Sequence, residues 1–99
     1  MHYLLIYDLT PDYLERRGEF RKEHLDLTDE AAAAGLLLVG GALADPADQA
    51  ILMFQADSPE PIEEFARRDP YVVYGLVTEW RVRPWVTVAG PWAHTPVKL

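Results

Sequence analysis

From Thr10 to Gly35 the chain reads as one long helix, and the two short runs that flank it, "HYLLIYDL" and "LLLVGGAL", read better as strands than as helices. Thr10 offers an N-cap oxygen with Pro11 at the first helical position, and Gly35 is a C-terminal stop. The glycine pair Gly40 and Gly41 in the second strand signals a bulge or a close backbone approach. Turn residues in "ADPADQ" lead to a third strand, "AILMFQA". Ser58 with Pro59 repeats the cap-plus-proline start, and "IEEFARR" continues as a second, shorter helix that ends before Pro70. An irregular piece, "PYVVYG", leads to a last strand, "LVTEWRVRPWVTV". The order is βαββαβ.

That order predicts an α+β, ferredoxin-like fold with a four-stranded antiparallel sheet and two helices on one face. The strands carry apolar residues on both faces, so the uncovered face calls for a second subunit packed sheet to sheet, and a homodimer is expected. At 99 residues, with 49% hydrophobic content, the chain has room for one core and no separate substrate domain. Residues 1–90 form that domain, and the aperiodic, proline-containing stretch 91–99 is a tail, with Trp92 as its one candidate anchor.

Composition excludes several functions. Nine Lys and Arg against sixteen Asp and Glu give a formal charge of −7 with no basic stripe, which argues against nucleic acid as a partner. No segment approaches the ~18 apolar residues of a membrane span, and the N-terminus lacks a basic leader, so no membrane partner is expected. The absence of cysteine removes disulfides, thiolate nucleophiles and thiolate metal sites, and it fits a reducing cytoplasm. His2, His24 and His94 have no metal-ligand spacing, and the glycines make no nucleotide loop, so neither metal nor other cofactor is expected.

The long helix has an unusual face. Wound at about 100° per residue, it places Glu15, Glu19, Lys22, Glu23, Asp26, Asp29 and Glu30 on one side and Tyr13, Leu14, Phe20, Leu25, Leu27 and Ala31 on the other. His24 lies in the middle of the apolar side, and Arg17 and Arg21 share that side with it. The acids thus crowd outward while the arginines turn inward, a pattern that makes a locally positive pocket in a negative molecule. Two plainer readings stand beside this one: a histidine satisfied by a hydrogen bond in a core or interface, and arginine stems covering apolar surface with their heads in water.

Asp69, in "RRDPYVVYG", is the second unusual residue. A carboxylate is unfavourable at a helix C-terminus, whereas Arg67 and Arg68 belong there. Either it starts a turn by accepting backbone N–H bonds, or it pairs with a cation. In a βαββαβ fold both helices lie on one sheet face, which brings His24 within reach of the end of the second helix. A carboxylate on one imidazole nitrogen fixes the tautomer and leaves the other free to move a proton. Ser58 is the only serine and no G-x-S-x-G occurs, so acyl-enzyme chemistry has no support. Tyr71, Tyr74, Trp80 and Trp85 are candidates for an aromatic pocket, or for core and interface.

Together, "YLLIYDL", "RKEHL", "GLLLVGGALADP", "FARRDPYVVYGLV" and "WRVRPW" resemble the YciI-like family, small proteins related in fold to muconolactone isomerase and other dimeric α/β-barrel proteins. The resemblance runs to about Gly90. It implies dimerisation and carries the family's proposed active-site pair onto His24 and Asp69; a related member is linked to dehydrochlorination of a chlorinated hydroxyquinol. The expected function is a cofactor-independent enzyme in which His24 is the general acid/base and Asp69 orients it. Arg17, Arg21, Tyr71 and Arg81 would hold a small anionic or phenolic substrate for elimination, isomerisation or hydrolysis. The alternative is a non-catalytic homodimer that binds or senses a small ligand.

Overall fold

The computed structural model describes residues 1–99. Its elements are β1 (His2–Leu9), α1 (Tyr13–Ala33), β2 (Leu37–Ala42), β3 (Gln49–Gln55), α2 (Glu60–Arg68), α3 (Pro70–Val73) and β4 (Val77–Trp85). The sheet order is β2-β3-β1-β4 with every neighbouring pair antiparallel, which is the ferredoxin-like arrangement.

Alternation along β1 sets the two faces of the sheet. Tyr3, Leu5, Tyr7 and Leu9 turn toward the helices and are buried. Leu5 and Tyr7 stand opposite Leu52 and Ala50 of β3, and Tyr3 stands opposite Phe54. Ile62, Phe65 and Ala66 of α2 and Leu27 and Ala31 of α1 close over them, with the Phe54 and Phe65 rings edge to face at 5.1 Å. Burial of each large side chain in this layer stabilises the fold by roughly 1.5–3 kcal/mol. The opposite face presents Leu4, Ile6, Val39, Ile51 and Trp85; no helix covers it, and only the segment after β4 lies against part of it, where Thr87 and His94 meet the buried His2.

Helix α1 stops where its sequence says it should. The Gly35 N–H donates to Ala32 O at 3.0 Å and the Leu36 N–H to Ala31 O at 3.0 Å, with Gly35 at φ +77°. This is a Schellman ending, and only glycine adopts that φ without strain. The starts differ from expectation. Asp12, not Thr10, precedes the first turn of α1, because the Thr10 N–H is still tied to Leu76 O at 2.9 Å. The Thr10 hydroxyl makes no cap bond; it is buried without a partner. Helix α2 begins at Glu60 after Pro59, again with no side-chain cap, so Ser58 has no such role.

Three further differences have simple causes. The piece after α2 is not irregular: one helical turn, α3, forms because the Asp69 side chain accepts the Tyr71 N–H at 3.0 Å and Pro70 suits a first helical position. Strand β4 ends at Trp85 rather than Val88, since its partner β1 begins at His2, opposite Trp85. In β2 the register shifts between Leu37 and Val39, ahead of the glycines, while Gly40 makes the close approach: a Cβ there would lie 3.0 Å from Leu52 Cγ.

Candidate active site

Asp69 is completely buried at the junction of α2 and α3, and three donors converge on its carboxylate. The His24 Nδ1–H of α1 donates to Oδ1 at 2.9 Å and lies 3.1 Å from Oδ2. The Tyr7 hydroxyl of β1 donates to Oδ2 at 2.8 Å, and the Tyr71 backbone N–H to Oδ1 at 3.0 Å. Both readings of Asp69 therefore hold at once: it caps a helical turn and it pairs with His24. With Nδ1 engaged, Nε2 is the ring nitrogen free for other partners. Burial first, then the charge of Asp69 and the bond to it, push the Tyr7 hydroxyl far above the usual phenol range, so it stays a donor.

The His24 ring stacks on Tyr71, with centroids 4.0 Å apart and planes 10° from parallel. Tyr71 in turn meets Tyr13 edge-on at 5.6 Å. The side chain of His24 is 15% exposed, which leaves one edge of the ring open to a cleft of about 230 Å³ between α1 and β2. Arg17, Arg21, Tyr13 and Tyr71 line the cleft on the helix side, and Leu37, Gly40 and Ala42 line it on the strand side.

Most arginines of the chain are paired and those of the cleft are not; Arg83 is the one other arginine without a carboxylate. Arg16, Arg67, Arg68 and Arg81 each salt-bridge a carboxylate, whereas Arg17 and Arg21 pair with none. Arg17 lies 5.7 Å from the Tyr13 ring centroid. Two unpaired guanidinium groups beside an imidazole make a site for negative charge. The Tyr71 hydroxyl is buried without a partner, and burial raises its pKa above the usual value while Arg21 and Arg17 oppose the rise.

The structure brings His24, Asp69, Arg17, Arg21 and Tyr71 together and does not bring Arg81. Arg81 pairs with Ile6 in the ladder, so it projects from the uncovered sheet face, where it binds Asp8 at 3.2 Å. Of the other aromatic candidates, Tyr74 stacks on Phe20 at 4.6 Å, Trp80 packs against the core, and Trp85 lies on the uncovered face. Leu14 and Leu25 of the apolar helix side are largely exposed, because a cleft rather than sheet lies beneath that part of α1. Sequence reasoning missed Tyr7. A phenol on the buried face of β1 needs a hydrogen-bond partner, which signals that Tyr7 is paired without saying to what. No group of three or more His, Asp or Glu side chains gathers to hold a metal ion. No helix is long and apolar enough to cross a membrane.

Comparison with solved structures shows the same fold elsewhere. The 5-chloro-2-hydroxyhydroquinone dehydrochlorinase of Burkholderia phenoliruptrix AC1100, in complex with 2,5-dihydroxybenzoquinone, superposes with a TM-score of 0.74. It is 22% identical, and the alignment covers 88% of this chain and 95% of that one. A dimeric ferredoxin-like protein from an uncultured marine organism matches more distantly, with a TM-score of 0.38, 16% identity, and coverage of 83% of this chain and 86% of that one. No curated protein matches in sequence. The family model of the YCII-related domain matches residues 1–86, and the chain belongs to that family.

Proposed function

We propose that this chain is an enzyme in which His24 Nε2 transfers a proton to or from a small anionic or phenolic substrate bound between Arg17, Arg21 and Tyr71. The observation that carries this reading is the His24–Asp69 bond beside a cleft that holds two unpaired arginines. Asp69 fixes the tautomer and stabilises the imidazolium formed when His24 accepts a proton. The stacked Tyr71 face holds the ring in its plane. Arg17 and Arg21 attract the anionic group and steady negative charge that grows as a proton is removed.

Three reaction types suit this arrangement. In an elimination Nε2 takes a proton as an anion leaves; in an isomerisation it removes a proton and returns it to another carbon; in a hydrolysis it activates a water. The dehydrochlorinase of like fold makes elimination from a chlorinated hydroquinone the first reaction to try. Chloride release from 5-chloro-2-hydroxyhydroquinone and from related chlorophenols, followed with wild type and His24→Ala, tests it. Turnover that survives intact in His24→Ala overturns the assignment of the base.

The working unit is proposed to be a homodimer packed through the uncovered sheet face. Val39 and Trp85 are exposed there, and Leu4, Ile51 and Met53 line an apolar groove beside them. Light scattering on wild type and Ile51→Lys checks this: a dimer that becomes monomeric supports it, and a wild-type monomer refutes it.

A further inference from the structure

The cleft beside His24 does not end at Arg17. Beyond that side chain lies a second cleft of about 770 Å³, between the start of α1 and the β2–β3 turn, and the two share Arg17 and Ala42. Leu14, 57% exposed, and Leu43, 46% exposed, lie along it with Pro11 and Pro46. The Thr10 hydroxyl, buried without a partner, belongs to a wall residue of this cleft. Asp45 and Asp48 are its only acidic lining residues, and Arg17 its only cation.

Size and charge divide the work between the two clefts. A cavity of about 150 Å³ holds one benzene ring, so the 230 Å³ beside His24 holds a single ring with its polar substituents and little more. In the second cleft the carboxylates of Asp45 and Asp48 repel a second anionic group, while Leu14 and Leu43 offer apolar contact. We infer that this second cleft is a substituent compartment of the same ligand site, taking an uncharged, apolar group of several carbons attached to a ring whose anionic end lies at Arg17 and Arg21. This inference rests on the reading of the His24 cleft as a ligand site. It makes Leu14, Leu43 and Ala44 residues that select among substrates without touching the reacting atoms.

The test uses benzoate and its 4-methyl, 4-propyl and 4-pentyl derivatives, titrated calorimetrically into wild type, Ala44→Trp, Leu14→Asn and Arg21→Gln. Wild-type affinity is expected to rise about three- to fourfold per added methylene. Ala44→Trp, which narrows the second cleft, and Leu14→Asn, which makes it polar, should each remove that gain while benzoate itself binds within twofold of wild type. Arg21→Gln should weaken every member of the series. A chain-length gain that persists in both Ala44→Trp and Leu14→Asn overturns the substituent compartment alone. Benzoates that fail to bind, or bind without regard to Arg21, overturn both this inference and the reading of the His24 cleft.

Discussion

The rings of His24 and Tyr71 lie face to face at 4.0 Å, and one carboxylate holds both residues: Asp69 takes the ring N–H of the first and the backbone N–H of the second. The stack and the hydrogen bonds therefore fix each other. A displacement of α3 would act on the His24 ring through both the stack and the carboxylate.

Asp69→Asn should destabilise the fold by about 3 kcal/mol or more, because a fully buried carboxylate that accepts three hydrogen bonds gives way to a group that leaves at least one donor unsatisfied. Its amide replaces an acceptor oxygen with a donor that faces either the Tyr7 hydroxyl or His24. Urea unfolding monitored by circular dichroism measures the loss; a change under 1 kcal/mol would mean that the three bonds do not persist in solution.

Tyr7→Phe keeps the buried ring and removes one donor to a carboxylate, so its cost should be smaller, about 1.5–3 kcal/mol. The same substitution changes the response to alkali. The pKa of the Tyr7 hydroxyl is raised above its ordinary 10.0 in the folded chain, so the folded state binds the proton more tightly than the unfolded one. Wild-type stability should thus fall as pH rises above about 10, and the Tyr7→Phe protein should lose less over that interval. Unfolding curves at pH 9 and 11 compare the two.

His24→Ala should reduce turnover of any accepted substrate by roughly 10²–10⁴-fold, the range for loss of a general acid/base. Binding of a substrate analogue should change far less, because the arginines remain. The split between kcat and the analogue's Kd checks it, and equal losses in both would favour a ligand-binding protein over an enzyme.

His2 gives a pH response of opposite sign. Burial, His94 and the N-terminal ammonium lower its pKa below the ordinary 6.5, and Thr87 Oγ1 lies 2.6 Å from its Nδ1. Neutral His2 therefore supports the fold fully above pH 6.5, and that support is lost as pH falls through the lowered value. Between pH 7.5 and 5 the stability of His2→Gln should decline less than that of wild type.

Gly40→Ala should cost about 1–3 kcal/mol, the range for overpacking, since its Cβ would come within 3.0 Å of Leu52 Cγ. Both residues line the His24 cleft, so ligand affinity should fall with stability. A melt and one benzoate titration are enough to see both effects.

His24 and Asp69 were legible in the sequence because each stands where its chemistry is unwelcome, one on an apolar helix side and the other at a helix C-terminus. Element order gave the sheet for a similar reason: helix and strand periods differ, and prolines and glycines mark the changes. Arg81 was misplaced because alternation groups residues by face without saying which face meets the helices. Thr10 failed as a cap because a hydrogen bond to Leu76, distant in sequence, holds the chain in the sheet for another residue. Tyr7 looked like core because it is core; its role at Asp69 depends on a contact across 62 positions that no local pattern contains.

The three donors on Asp69 come from β1, α1 and α3, so the full set meets only when strand and helices have assembled. A molecule that grips His24 thereby clamps most of the fold, and its binding energy adds to global stability as RT ln(1 + [L]/Kd), about 2.7 kcal/mol at a hundredfold excess over Kd. Melting temperature then serves as a general detector for this protein: a library of small aromatic acids and phenols can be sorted by thermal shift before any reaction is known.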